Sequence, residues 1–293
     1  MKRICLSIIA VALVVLLLPV GGQGRSVARP RISAGKVHAT FVPTKGKLFV
    51  LVIGNDARSG NPDRSRADAI HIVGLDTKTL RGGILNFPRD TWVSIPGHGS
   101  GKINEALFDG GPELLARTLE NLTGIHIDLW VMTGFEGFRG IIRGIGDIKL
   151  HLGRDIFDHG SGARLHAGNN TLNPGQALAF VRSRKALPHG DIDRSTNQGR
   201  FLLVLLRELR DDVKRDPSRL LRWISLGRRH TRLQVRPEEL FELAVLASQV
   251  RPSRMGNRTV PVSIGSVGSA SVVFLSSGAA RPIFARFRRT ARL

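Results

Sequence analysis

The chain has 293 residues, and its 42% hydrophobic content is enough for a core, which excludes wholesale disorder. A formal charge of +21 points to an anionic partner: nucleic acid, a phosphate-rich polymer or an acidic membrane surface. Tyr is absent and aromatics make up 5%, which counts against a nucleic-acid surface built on stacked rings, and the single Cys5 excludes an internal disulfide.

Lys2 and Arg3 precede an uncharged apolar stretch from Ile4 to Val20. Its roughly 17 residues stand at the lower limit for a spanning helix and above a usual signal-peptide core. No convincing Ala-x-Ala site follows, so residues 1–20 are expected to be a transmembrane anchor or uncleaved signal. The expected topology is single-pass in the cell membrane, with the bulk of the chain extracytoplasmic. Residues 21–46 are rich in Gly, Pro, Arg and Ser without periodicity and read as a flexible stalk.

From Lys47 the pattern changes. Leu48-Phe-Val-Leu-Val-Ile53 is a continuous apolar run ended by Gly54, which predicts a buried central strand. Further strands are predicted at Ala69–Val73, Gly83–Phe87 and Thr91–Ile95, then a helix over Pro112–Leu122 with Leu114, Leu115, Thr118, Leu119 and Leu122 on one face. A strand near 127–132, a helix over 134–145 and a strand near 148–152 follow, then a Gly, His and Asn-rich surface loop over 153–172. Pro174 opens a helix running to Arg182, and a long amphipathic helix spans 195–213. Helices from Pro217 and Pro237, strands near 259–264 and 270–275, and a basic helix over 279–289 complete the chain. Alternating strands and helices without repeats predict a single three-layer α/β domain (αβα, with a central mixed sheet) over 47–290, preceded by the N-terminal membrane segment.

The chemistry resides in spaced Arg and Asp residues. Asp56 and Arg58 follow a buried strand, where ligand sites of open α/β sheets lie, and Arg66 and Asp68 precede the next strand. Arg89 and Asp90 follow Pro88 at another strand end. Arg182 and Arg184 converge only if the helix ends there and the chain extends. Arg194 and Gln198, four apart after Asp191, share one face at the start of a helix, whose free N–H groups attract anions. Paired carboxylates suit a hard cation such as magnesium, and planar guanidinium forks suit phosphate oxygens. Together they point to phosphoryl transfer.

The chain resembles the LytR-CpsA-Psr family of cell-wall glycopolymer ligases. The resemblance rests on Gly54-Asn-Asp56-Ala-Arg58, Arg66-Ala-Asp68, Pro88-Arg89-Asp90-Thr91, Lys102-Ile103-Asn104, Gly110-Gly111-Pro112-Glu113 and Phe135-Glu-Gly137-Phe138. Leu172-Asn173-Pro-Gly-Gln176-Ala177-Leu178, Val181-Arg182-Ser-Arg184 and Gly190-Asp191-x-x-Arg194-x-x-x-Gln198 follow in the same order. It implies a membrane enzyme that moves a glycopolymer phosphate from a polyprenyl-pyrophosphate carrier onto a peptidoglycan acceptor, using Mg2+. Carried over by position, Asp56 and Asp68 hold the metal. Arg58, Arg66, Arg89, Arg182, Arg184, Arg194 and Gln198 grip the pyrophosphate. Asp191 supports the arginines or helps to activate the acceptor hydroxyl, so Asp56, Asp68, Arg89 and Asp191 form the catalytic set. Apolar surface between the sheet and the 195–213 helix houses the prenyl chain. A pyrophosphatase side reaction, with water as acceptor, follows from the same site.

Three departures stand out. The family commonly has Arg-Gln-Gln where this chain has Asn197-Gln198-Gly199, with Arg200 as a candidate replacement for the lost guanidinium. Gly146-Asp147-Ile148 replaces Gly-Gly-Val, and Phe180 replaces a frequent Tyr. His151, His159, His166 and His189 lack zinc spacing, and His71 reads as a satisfied sheet-face histidine. The chain contains neither a nucleophile elbow nor a P-loop. The alternative reading is a non-catalytic regulator that binds anionic polymer or nucleic acid; the export segment and the lack of a helix-turn-helix pattern argue against a specific nucleic-acid partner.

Overall fold

The computed structural model describes residues 32–36, 46–56, 65–229, 231–233, 235 and 237–293. The strands are β1 (Ile32–Lys36), β2 (Lys47–Asn55), β3 (Ala67–Asp76), β4 (Arg81–Asn86), β5 (Trp92–Ile95), β6 (Gly99–Lys102), β7 (Leu129–Thr133) and β8 (Ile148–Leu152). They continue with β9 (Ile156–Asp158), β10 (Ala163–Leu165), β11 (Gly168–Leu172), β12 (Thr231–Leu233), β13 (Met255–Thr259), β14 (Val262–Val267) and β15 (Ala270–Leu275). The helices are α1 (Glu105–Thr123), α2 (Phe135–Ile145), α3 (Pro174–Arg182), α4 (Asp191–Arg215), α5 (Arg219–Arg229), α6 (Pro237–Gln249) and α7 (Ser277–Thr290). Seven strands form a central mixed sheet in the order β12-β1-β7-β2-β3-β4-β13. β2 pairs antiparallel with β3 and parallel with β7, and β13 runs parallel to β4.

The apolar run of β2 places Phe49, Leu51 and Ile53 on one face of the sheet, where they join Leu114, Leu115 and Leu119 of α1 and Phe284 and Phe287 of α7 in the main core. The predicted apolar face of α1 is therefore the one buried. A second core gathers Ile148, Leu150, Leu152, Leu172, Phe180 and Phe201 from β8, β11, α3 and α4. It stands across the opposite face of the sheet. Between that face and α2–α4 lies an apolar pocket lined by Val52, Phe135, Phe138, Leu178, Val181 and Phe201.

The structure corrects several boundaries. The 153–172 segment is no simple loop: β9 and β10 form a hairpin and β11 pairs with β8. Three-residue strands give too short an alternation to stand out in a Gly- and Asn-rich sequence. Ile32–Lys36, read as stalk, pairs with β7 and β12, through backbone groups that its small, mixed side chains do not advertise. The strand placed at 259–264 is two elements, β13 and β14, and the edge position of β13 explains its polar sequence. α1 begins at Glu105 and is broken at Gly110 and Gly111 before Pro112. α4 begins at Asp191, so its acidic first turn is helical. Residues 1–20 lie outside the described residues; among those described, no helix is long and apolar enough to cross a membrane.

Candidate active site

A bulge where β3 meets β2 creates the site. Gly54 pairs with Ala69 and Asn55 with Ala67, so Asp68 has no partner on β2. Ala67, Ile70 and Ile72 point into the main core, whereas Asp68, Ala69 and His71 line the opposite pocket. Without the extra residue, alternation would turn Asp68 into the apolar core. Asp56 follows Asn55, so the two proposed metal carboxylates leave the sheet on adjacent strand ends.

Around Asp68 the side chains close a ring. Arg89 Nη1 lies 2.6 Å from Asp68 Oδ1. The Arg89 backbone N–H donates to Asp191 Oδ2 at 3.3 Å, and Arg194 Nη2 lies 2.5 Å from Asp191 Oδ1. Arg194 returns to the Asp68 carbonyl at 3.3 Å, and Gln198 Nε2 donates to the Val181 carbonyl at 2.9 Å and to that of Asp68 at 3.4 Å. The Pro88-Arg89-Asp90-Thr91 turn is closed by the Thr91 N–H, which donates to the Pro88 carbonyl at 3.1 Å, while the Arg89 side chain reaches out to the ring. Arg89 stands 3.8 Å from Asp90, which instead holds Lys102 Nζ at 3.0 Å.

Burial dominates the electrostatics. It raises the Asp191 pKa against the pull of Arg194 and Arg89. It lowers that of Arg194, which Asp191 and Asp68 partly restore. For Arg89, burial pulls downward, but Asp68 and Asp191 outweigh it and the net shift is upward. Asp191 Oδ1 faces the Arg194 and Arg89 guanidinium groups, and Oδ2 accepts from the Arg89 backbone N–H. His71 is 2% exposed and neutral, its pKa lowered to about 4 chiefly by burial.

α3 ends at Arg182, and Ser183 is extended, the condition under which Arg182 and Arg184 can converge. Arg182 lines the pocket with its guanidinium 4.6 Å over the Phe135 ring. Arg184 is close enough for its charge to contribute to the Arg194 shift. Asp158 fixes this turn: its Oδ2 accepts from Ser183 Oγ, Arg184 N and Lys185 N at 3.1, 2.7 and 2.8 Å. Arg66 is exposed and does not join the ring, and Arg58 lies outside the described residues. Residues missed as site components are Asp158, Lys102 and Asn104, whose backbone bridges Ala67 and Arg89. The Lys102-Ile103-Asn104 motif was the available signal for the last two.

Residues 22–281 match the family model of LytR-CpsA-Psr proteins. The chain belongs to that family. It is 32% identical over 201 residues to "Regulatory protein MsrR" of Staphylococcus aureus (strain COL), covering 67% of this chain and 60% of that protein. It is 32% identical over 190 residues to the polyisoprenyl-teichoic acid–peptidoglycan teichoic acid transferase TagT of Bacillus subtilis (strain 168), covering 62% and 58%. The chain therefore spans about three-fifths of the length of these curated relatives. Among solved structures, B. subtilis TagV superposes with a TM-score of 0.71 at 23% identity, over 84% of this chain and 99% of that one. TagT with bound octaprenyl pyrophosphate lipid gives 0.65 at 20%, over 91% and 98%. These likenesses show a shared mixed α/β fold.

The departures from the family pattern now have locations. Arg200 donates to the His151 carbonyl on β8 and does not replace a guanidinium in the ring. Arg200→Ala is accordingly expected to change diphosphate affinity less than about twofold, as isothermal titration would measure. Phe180 belongs to the second core, 6.1 Å from Phe201 between ring centroids. Gly146 closes α2 at a φ of 102°, so the neighbouring change affects only that turn.

Proposed function

We propose that this domain is a phosphotransferase that moves a glycopolymer phosphate from a polyprenyl-pyrophosphate carrier onto peptidoglycan, outside a membrane to which residues 1–20 anchor it. The observation that carries this reading is the Asp68–Arg89–Asp191–Arg194 ring at the mouth of an apolar pocket. A prenyl diphosphate has the matching form, an anionic head on an apolar tail. TagT, a relative, has been crystallised with such a lipid. The present opening of about 90 Å³ is well below the roughly 300–1,000 Å³ of ordinary ligand sites, so a prenyl chain requires this pocket to widen.

Asp56 and Asp68 would hold magnesium. The donor set fits: the Arg89 pair engages Asp68 Oδ1, and magnesium sites commonly combine one or two carboxylates with substrate phosphates and waters. When bound, the ion would offset charge on the diphosphate oxygens. The acceptor hydroxyl forms a bond to the sugar-side phosphorus and gives up its proton to solvent water, the bond to the bridging oxygen breaks, and polyprenyl phosphate leaves with that oxygen and its electron pair. Such transition states are loose, so positioning and charge neutralisation supply most of the acceleration. Arg182, Arg184, Arg89 and Arg194 provide both. Water in place of the acceptor would give the pyrophosphatase side reaction.

Adhesion to a polyanion through the +21 charge is the competing account. It gives no reason for carboxylates at the mouth of the pocket, which repel phosphate unless a cation bridges them. The test is transfer by the full chain in detergent micelles, from a lipid-linked glycopolymer to peptidoglycan strands. Asp68→Ala and Arg182→Ala are each expected to fold and to lose about 10²–10³-fold in rate. Wild-type transfer by either variant would remove that residue from the site.

A further inference from the structure

Beneath the second turn of α4, buried polar side chains form a connected chain that ends on the pocket wall. The Thr196 carbonyl accepts from Asn257 Nδ2 at 3.0 Å. Asn257 Oδ1 accepts from Asn86 Nδ2 at 2.8 Å, and Asn86 Oδ1 lies 2.8 Å from His71 Nδ1. A backbone carbonyl can only accept, so it sets every later orientation. Asn257 must turn its oxygen to Asn86, and Asn86 must turn its own to His71. The neutral ring must therefore carry its hydrogen on Nδ1, leaving Nε2 bare. Gln198 also interacts with the ring, and the Arg194 charge acts on it.

This arrangement depends on Gly199. A Cβ there would stand 2.2 Å from Asn257 Oδ1 and 2.4 Å from Asn86 Oδ1, closer than real Cβ atoms come. The chain ties together β13 (Asn257), β4 (Asn86), β3 (His71) and α4 (Thr196). Asn86 stands three residues before Arg89, and His71 three after Asp68. Thr196 lies between Arg194 and Gln198. A hydrogen-bonded polar network of this kind, buried at His71 and Asn86 and half-buried at Asn257, holds its elements in one relative placement.

We propose that Asn257, Asn86 and His71 are positioning residues that fix the register of α4 against β3 and β4, and hence the placement of Arg194 and Gln198 relative to Asp68 and Arg89, with Gly199 as the opening that admits them. The role rests on the diphosphate reading, but the network itself can be tested without turnover. The full chain in detergent micelles is examined by 15N NMR of the His71 ring and by binding of farnesyl diphosphate with magnesium. The wild-type ring is expected to be protonated on Nδ1.

Asn257→Asp has nearly the same shape but cannot donate to Thr196. A carboxylate still only accepts from Asn86, so the ring is expected to keep its hydrogen on Nδ1, while the lost Thr196 contact weakens farnesyl diphosphate binding about tenfold. Gly199→Ala is expected to weaken binding by a similar factor. Adding Asn257→Ala, which removes one of the two clashing side chains and frees space into which Asn86 can turn, should make the double variant no weaker than Gly199→Ala alone. Losses that multiply in the double variant, or unchanged affinity in Asn257→Asp, would overturn the proposal. A wild-type ring protonated on Nε2 would overturn the stated orientation of the network. If the wild type binds no diphosphate, the functional reading fails, and with it that role; the tautomer and the melting temperatures of the double-variant set still decide whether the network exists.

Discussion

Arg89→Ala is expected to lower kcat/KM for transfer by about 10²–10³-fold, among the largest effects of any single change in this site. The guanidinium lies 2.6 Å from Asp68, and the backbone N–H of the same residue holds Asp191. Both carboxylates lie largely inside the protein, with side-chain exposures of 17% and 13%. Without the Arg89 side chain Asp68 loses its direct guanidinium contact, and Asp191 keeps Arg194 and the backbone N–H of residue 89, so the proposed diphosphate would meet carboxylates with less opposing charge. Arg89→Lys should remain at least tenfold impaired, because a point charge cannot reproduce the planar fork between two acids. Steady-state kinetics of both variants, beside melting curves that establish folding, make the comparison. Wild-type rates from Arg89→Lys would mean that charge alone matters and that the ring geometry does not.

Asp158→Asn should act on stability and activity together. The carboxylate is 2% exposed and its pKa is lowered from 3.8 to about 2. Burial opposes ionisation, but N–H donors from Arg184, Lys185 and Ser161 and the Ser183 hydroxyl outweigh it. A depressed folded-state pKa stabilises the protein above pH 3.8, and the contribution disappears as pH falls toward 2. The size is about 2 kcal/mol from the shift alone. An asparagine amide would turn hydrogens toward donors on one side, so a loss of that order is expected at pH 7. The deficit relative to wild type should shrink as pH falls from 4 to 2, in urea titrations at each pH. The same clasp sets the turn between Arg182 and Arg184, so kcat/KM should fall about tenfold at neutral pH. Unchanged stability at pH 7 would show that the clasp is dispensable.

These two residues mark what the sequence discloses and what it does not. Arg89 is legible because Pro88-Arg89-Asp90-Thr91 is a motif in a recognisable order, and Asp68, Asp191, Arg194 and Gln198 are legible for the same reason. The strands around Ile53 and Ile72 announce themselves by apolar runs, and the buried face of α1 by its spacing. Asp158 is hidden because its partners lie 25–27 residues away and its hairpin alternates over too few positions. The bulge that turns Asp68 outward is a property of pairing, not of either strand. Contacts between Asn86 and Asn257 span 171 residues and leave no local trace. Arg200 illustrates the converse: proximity in sequence suggested compensation, yet its helix face points toward β8.

The decisive measurement is thermal denaturation of the full chain in micelles with magnesium alone, farnesyl diphosphate alone, and both. Carboxylates and guanidinium groups that share one cation and one diphosphate require linked binding, so both together should raise Tm by more than the separate shifts combined. Asp68→Ala should abolish that excess. Purely additive shifts, or an excess that survives in Asp68→Ala, would contradict a common site.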